Sequence, residues 1–280
     1  MLKNALILSA GFGTRMGEVG KKIPKPLWPI FESNMLGVHI KRLKKMGVEN
    51  IYINTHYYAE MIEDWIKKSK IENVTVLHEK EILGSGGAVH NLKKQTGLNE
   101  TVFCVNADVF YLLKNEHYQN ALDLMKKNQA TALLFAVNID ANAPYNRLKI
   151  ENDLLTDIVS SSSLSAPKCT YSGVGIVDLS KLELVEGKSS FFNTVANYKE
   201  KKVSAMAGLD IEYWDFGTLE MYIDAHFRLL SEDSSFKEEL IQLEVIKKDN
   251  CYQQAPHVIN LAQGHKYRVK SNKTARELMI

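Results

Sequence analysis

The stretch Ala5-Leu-Ile-Leu-Ser-Ala-Gly-Phe-Gly13 decides the fold. Four apolar residues, Ala5 to Leu8, run straight into the glycines Gly11 and Gly13, the pattern of a fully buried strand that ends in a tight loop. From Met35 to Met46 apolar residues recur at helical spacing among basic ones, and Gly47 supplies a stop. Ile51–Ile53 reads as a second strand, Ala59–Lys68 as a helix and Val74–Leu77 as a third strand. The alternation continues with a strand at Thr101–Val105, a helix at Tyr118–Lys127 and a strand at Thr131–Val137. Strands that alternate with helices predict an α/β fold, a Rossmann-like, mainly parallel sheet with helices on both faces. Between Ile150 and Tyr171 the pattern weakens around Ser160–Ser163, which reads as an exposed loop; Val174–Val177 resumes as strand and Glu220–Leu230 as an amphipathic helix. No 20- to 50-residue period and no hexapeptide run is present, so no β-helix domain is expected.

Composition narrows the function classes. With 280 residues, 45% hydrophobic and 24% charged, the chain has the make-up of a globular protein. Its 35 basic against 33 acidic residues leave a net charge of +2, which offers no general attraction for a polyanion, so nucleic acid is not an expected partner. Cys104, Cys169 and Cys251 form no close pair, and neither a disulfide framework nor a zinc ribbon follows. A reducing compartment fits, the N-terminal apolar stretch is too short for a signal peptide, and no segment reaches membrane-spanning length; a cytoplasmic protein is expected.

Chemistry concentrates in four places. The loop Leu8-Ser-Ala-Gly-Phe-Gly-Thr-Arg-Met16 is followed by Pro24-Lys-Pro-Leu27: glycines admit backbone N–H groups to a phosphate chain, and Arg15 and Lys25 add charge-assisted contacts. The loop ends in neither the Gly-Lys-Ser/Thr of a phosphate-binding P-loop nor the third glycine of a dinucleotide fingerprint. Asp108 follows the strand Val102–Val105 and so stands at its carboxyl end, where open α/β sheets bind ligands; Asp215 lies beside a glycine turn. Two hard oxygen ligands plus substrate phosphates are what Mg²⁺ takes from proteins, although a capping Asp108 and a turn-making Asp215 also satisfy the sequence. Gly84, Gly86 and Gly87 mark a place where backbone comes close to something, or a turn that starts a helix.

Gly11-Phe-Gly-Thr-Arg-Met16 with Pro24-Lys-Pro26 resembles the signature of the sugar-1-phosphate nucleotidyltransferases, the nucleotide-sugar pyrophosphorylases. Leu83-Gly-Ser-Gly-Gly-Ala88 is similar to that family's second glycine loop, Asn106-Ala-Asp108 to its Asn-Gly-Asp motif and Trp214-Asp-Phe-Gly-Thr218 to its Asp-Ile-Gly-Thr motif. The likeness runs from residue 2 to about 230, which suggests a catalytic domain over 1–230 and an extension over 231–280 that packs on it, mediates oligomerisation or meets a partner. It implies an enzyme that joins a nucleoside triphosphate to a sugar 1-phosphate with Mg²⁺ on Asp108 and Asp215. Arg15, Lys25 and Asp108 would carry catalysis, Ala10, Gly11, Gly13, Thr14, Arg15, Glu79 and Gly84 would bind the nucleotide, and Lys25, Gly86 and Gly173 would meet the sugar phosphate.

A carboxylate at Glu79 matches the N1–H and N2–H donors of guanine, which leans towards GTP over UTP, while a strand-end glutamate fits equally. Gly173, in Tyr171-Ser-Gly-Val-Gly175, reads as a sugar-side glycine or as a tightly packed strand. The chain departs from the family at Asn146 and Ala107, each in place of a glycine, and it lacks the Glu-Lys-Pro triplet before Tyr171, with only Lys168 nearby. Its look is closest to the mannose-1-phosphate guanylyltransferase and N-acetylmuramate-1-phosphate uridylyltransferase branch. These departures leave room for a catalytically silent nucleotide-sugar sensor or regulatory protein. A cytidylyltransferase acting on a non-sugar phosphate shares the first loop, and a dinucleotide oxidoreductase is the more distant rival.

Overall fold

The computed structural model describes residues 2–13, 23–161, 167–231 and 233–247, and four strands between 254 and 279. Strand β1 (Asn4–Leu8) leads through a hairpin of β2 (Pro29–Ile30) and β3 (Ser33–Asn34) into helix α1 (Met35–Lys45). Then come β4 (Asn50–Thr55), α2 (Ala59–Ser69), β5 (Val74–His78), α3 (Gly84–Thr96), β6 (Thr101–Asn106), β7 (Val109–Tyr111), α4 (Asn115–Asn128) and β8 (Ala132–Asn138). The second half holds β9 (Arg147–Glu151), β10 (Leu154–Val159), β11 (Cys169–Asp178), α5 (Phe191–Thr194), β12 (Val203–Met206), β13 (Tyr213–Asp215), α6 (Leu219–Ser231) and α7 (Ser235–Gln242).

Nine strands form the central sheet in the order β5-β4-β1-β6-β11-β8-β12-β10-β9. The first four are mutually parallel, and the chain alternation predicts that half well. The far half is mixed: β11 runs against both β6 and β8, β12 is parallel to β8, and β10 runs against β12 and β9. Only β11 and β10 therefore oppose the common direction. The hairpin β9–β10 is absent from the sequence reading. It lies at the sheet edge, where exposed Lys149 follows buried Leu148 and exposed Thr156 and Asp157 follow buried Leu155, so its apolar signal is thin.

Period-two alternation distributes the core. Ala5 and Ile7 face a cluster with Leu36, Ile40 and Ile62 of α1 and α2 and with Tyr118 of α4, while Leu6 faces Val89 and Leu92 of α3 and Phe191 of α5. Helices thus cover both faces. A third cluster gathers Trp28, Phe110, Trp214, Phe216, Tyr222 and Phe236. It is built around a two-stranded ribbon in which β13 pairs antiparallel with β7, Asp215 opposite Val109. Asn34 starts α1 by accepting from Gly37 N at 2.8 Å.

Packing continues through the boundary expected at residue 230. That position falls inside α6, and Phe236, Leu240, Val245 and Ile246 beyond it are buried in the third cluster. Glu239 pairs with Arg42 of α1 at 3.0 Å, and Arg42 also donates to Tyr111 O at 3.2 Å. Helix α7 ends at Gln242, where the chain turns at Leu243 and Glu244, the latter with φ +55°. Farther on, Gln254–Ala255, Val258–Asn260, Lys266–Val269 and Arg276–Met279 form a four-stranded antiparallel sheet, β14 to β17, that a basic, short-stranded sequence did not announce. Cys104 and Cys169 are free and buried, and burial pushes the Cys104 thiol up to about 12. Among the described residues no helix is long and apolar enough to cross a membrane.

Candidate active site

Parallel strands end with their carbonyl edges together, and the ends of β1 and β6 open on a cavity of about 370 Å³. Ser9, Gly11, Phe12 and Gly13 line it from the first loop, Asn106 and Asp108 from the end of β6, and Gly217 from the turn after β13. Lys25 projects into it from a single 3₁₀ turn, Lys25–Leu27, whose flanking Pro24 and Pro26 remove backbone freedom. The ammonium is only 9% exposed as a residue and meets Asp108 Oδ2 at 2.7 Å. A cation sealed at the floor of a cavity with one carboxylate partner can exchange that partner for a phosphate oxygen without further desolvation.

Asp215 reaches the same region across the ribbon. Phe216 N donates to Asp108 O at 2.9 Å, so Asp108, in the turn just before β7, and Asp215, at the end of β13, lie side by side along the ribbon. Asp215 Oδ1 accepts from Gly217 N at 2.6 Å and Oδ2 from the Tyr145 hydroxyl at 2.8 Å. Burial raises the Tyr213 phenol, and the Asp215 and Asp108 charges raise it further, so it stays a neutral hydroxyl beside both carboxylates. Two carboxylates form a hard donor set that fits a divalent cation such as Mg²⁺. Among the described residues no group of three His, Cys, Asp or Glu side chains converges, so an ion held here would complete its shell with water and phosphate oxygens, as Mg²⁺ commonly does.

Gly13 has φ +62°, a left-handed turn that glycine adopts without strain, and an added Cβ at Gly11 would meet open space. Ala10 is buried beneath the loop, and Thr14 and Arg15 lie outside the described residues. Glu79 is 2% exposed. Its Oε1 accepts from Asn54 Nδ2 at 2.8 Å and its Oε2 from Leu83 N at 2.9 Å, while Asn54 Oδ1 accepts from Ser9 N at 2.8 Å. Desolvation raises the Glu79 carboxyl above the usual range, and those bonds pull the other way. In this structure Glu79 therefore braces the first glycine loop against the second from beneath.

The second glycine loop meets protein. Gly86 N and Gly87 N donate to Ser189 O at 3.0 and 3.3 Å, and a Cβ on Gly84 would stand 2.7 Å from that same carbonyl. The close approach expected at these glycines is thus to the chain at 187–190, and neither Gly84 nor Gly86 lines the cavity, whereas Ile82 of the same segment does. Gly173 lies in an irregularity of β11 with φ +80°, where a Cβ would come 2.8 Å from Asn106 Nδ2. It lets β11 close on the residue two before Asp108.

Two features were not legible in sequence. Nothing local in the sequence marks Tyr145, and only the fold shows its hydroxyl on Asp215. A second cavity of about 800 Å³ lies beyond that bond, lined by Tyr145, Lys168, Tyr213, Asp215 and Arg228 among others. One wall of it, residues 139–143, is held by the buried Arg147, which donates to the carbonyls of Asp140 and Ala141 at 2.7 and 2.9 Å.

Comparison with known proteins agrees with this geometry. The family model described as nucleotidyl transferase matches residues 4–159, more than half of the chain. D-glycero-alpha-D-manno-heptose 1-phosphate guanylyltransferase of Campylobacter jejuni is 32% identical over 108 residues, 38% of this chain and 48% of that protein. Mannose-1-phosphate guanylyltransferase 1 of Arabidopsis thaliana is 27% identical over 214 residues, 73% of this chain and 57% of that protein. The chain spans about half the length of these curated relatives. The crystal structure of HddC from Yersinia pseudotuberculosis complexed with GMP-PN superposes with a TM-score of 0.66 at 23% identity, over 81% of this chain and 99% of that one, which is a likeness of fold.

Proposed function

The chain belongs to the nucleotidyl transferase family, and on that premise we propose that it transfers a nucleotidyl group from a nucleoside triphosphate to a sugar 1-phosphate, forming a nucleotide sugar and pyrophosphate. The observation that carries this reading is the Lys25–Asp108 pair, sealed at the base of a glycine-lined cavity with Asp215 nearby at the end of β13. A phosphate oxygen of the sugar phosphate attacks the α-phosphorus, the bond from that phosphorus to the β-phosphate oxygen breaks, and pyrophosphate leaves. No covalent enzyme intermediate is required, so the protein's work is alignment and charge neutralisation.

In this scheme the Lys25 ammonium turns from Asp108 Oδ2 towards the transferred phosphoryl group, and the backbone N–H groups of Gly11 and Gly13, with Arg15, hold the departing pyrophosphate. Asp108 and Asp215 are the residues that would hold Mg²⁺, which when bound supplies charge neutralisation between the reacting phosphates. Tyr145 fixes the rotamer of Asp215, and Glu79 fixes the first glycine loop through Asn54. The acceptor approaches from the second cavity, where Lys168 and Arg228 offer positive charge to a sugar phosphate. Both named relatives are guanylyltransferases of manno-configured sugar phosphates, which supports GTP and that sugar class as the first pair to assay.

The test is pyrophosphate release with Mg²⁺, each common nucleoside triphosphate and a panel of sugar 1-phosphates. Release with one pair identifies both substrates. Nucleotide binding with no release from any pair overturns the transfer reading in favour of a silent nucleotide-sugar sensor.

A further inference from the structure

The two ends of the 370 Å³ cavity differ in chemistry, and the strand order explains why. Loops after β5, β4, β1 and β6 stand side by side, and neighbouring strands are about 4.8 Å apart, so the β4–β5 end lies about 10–15 Å from the β6 end. Lys25, Asn106 and Asp108 make the β6 end charged and polar, whereas Ile82, after β5, lines the other end. Phe12 leaves the first glycine loop and leans to that second end. Its ring centroid is 5.6 Å from His56, with the planes at 86°, and 5.6 Å from Tyr57, with the planes at 61°. Both rings follow β4, and Tyr57 packs in turn on Tyr58 at 4.2 Å.

Held on two sides, Phe12 is nevertheless 45% exposed, a large apolar surface left open to solvent on a cavity wall. Its neighbours Gly11 and Gly13 have no side chains to screen it. Glu79, on the same side of the sheet, is buried with each carboxylate oxygen already accepting a hydrogen bond, so the ring is what this end presents to a ligand. An aromatic platform at one end of a cleft and a cation with a carboxylate at the other suit a nucleotide lying with its base on the ring and its phosphates towards Lys25.

We propose that Phe12, set against His56 and Tyr57, is the stacking surface for the nucleobase and a determinant of preference for purine over pyrimidine nucleotides. The inference rests on the nucleotidyl-transfer reading above. A purine offers the larger flat face, so ring area at this position favours it without any hydrogen bond to its edge.

Calorimetric titration of GTP, UTP and inorganic pyrophosphate into the wild-type chain and into Phe12→Leu and Phe12→Tyr tests it. A leucine keeps apolar contact and removes the ring, and a tyrosine keeps the ring. Phe12→Leu is expected to weaken GTP about five-fold to a hundred-fold and UTP by a smaller factor, with pyrophosphate unchanged, while Phe12→Tyr stays within about two-fold of wild type throughout. Equal GTP affinity in Phe12→Leu overturns the inference and leaves nucleotidyl transfer standing, as does an equal loss for GTP and pyrophosphate. A wild-type chain that binds no nucleotide overturns both.

Discussion

Replacing Asp108 by Asn separates the chemical role of this carboxylate from its structural one. Asp108 Oδ2 lies 2.7 Å from Lys25 Nζ, with side chains 24% and 10% exposed. Asparagine retains a carbonyl oxygen for the ammonium and loses the charge. For a pair between the exposed and buried limits this costs about 1–2 kcal/mol of stability, a drop in Tm of about 2–6 °C for a chain of this size. Catalysis loses more, because one of two hard anionic oxygen donors is withdrawn from a site where charge develops on phosphate. About 3–4 kcal/mol of barrier, or roughly a hundred-fold to a thousand-fold in kcat, is expected. The assay is pyrophosphate release at saturating substrates across a Mg²⁺ titration, beside a thermal melt of the same preparation. The variant should melt as one folded species, turn over slowly and need more Mg²⁺ for half-maximal rate. A kcat within about three-fold of wild type with unchanged Mg²⁺ dependence would refute the reasoning.

Phe236→Ala removes a fully buried ring whose centroid lies 4.9 Å from that of Phe110 and 5.5 Å from that of Trp214; denaturant unfolding should show a loss of about 3–5 kcal/mol, whereas a loss below about 1 kcal/mol would mean that α7 is not part of this core. Burial lowers the pKa of His39 to about 3 and that of His226 to about 4, so both are neutral in the fold and take protons on unfolding below about 6.5. Their stabilisation is complete above that pH and is lost as pH falls towards those values, adding up to about 1.4 kcal/mol per pH unit each; chemical denaturation between pH 4 and 7 should show this slope, reduced in His39→Phe. Gly84→Ala puts a Cβ 2.7 Å from Ser189 O at φ +71° and should destabilise the chain by about 1–3 kcal/mol in the same unfolding assay, while Gly97→Ala, also at positive φ but with open space around it, should cost less.

The parallel half of the sheet was legible because each of its strands is a short apolar run bounded by a helix of clear period: Ala5–Leu8, Ile51–Ile53, Val74–Leu77 and Thr101–Val105 all lie within observed strands. In the far half β8 and β11 were legible as apolar runs, at Thr131–Val137 and Val174–Val177, but β9 and β10 were not, because they bury only part of one face, and antiparallel pairing leaves no mark in the order of elements. Lys25 and Asp108 stood out by their neighbours in sequence, two prolines and the end of an apolar strand, and they meet across 83 residues. The three close glycines were legible as a place of close approach, but what approaches them, Ser189, is about a hundred residues away in the chain.

The sequence alone determined the α/β class, and it marked the first glycine loop with its lysine and the two aspartates as candidates, since these depend on local periodicity and on residue types that chemistry restricts. Tertiary structure alone decided that Asp215 comes beside Asp108 through a two-stranded ribbon, that Tyr145 bonds to it, that Glu79 faces inward, that Phe12 stands open at the cavity, and that residues 235–246 belong to the core. Each of these is a contact between segments far apart in the chain. Such contacts are set by which apolar faces are buried together, and no local pattern encodes that pairing.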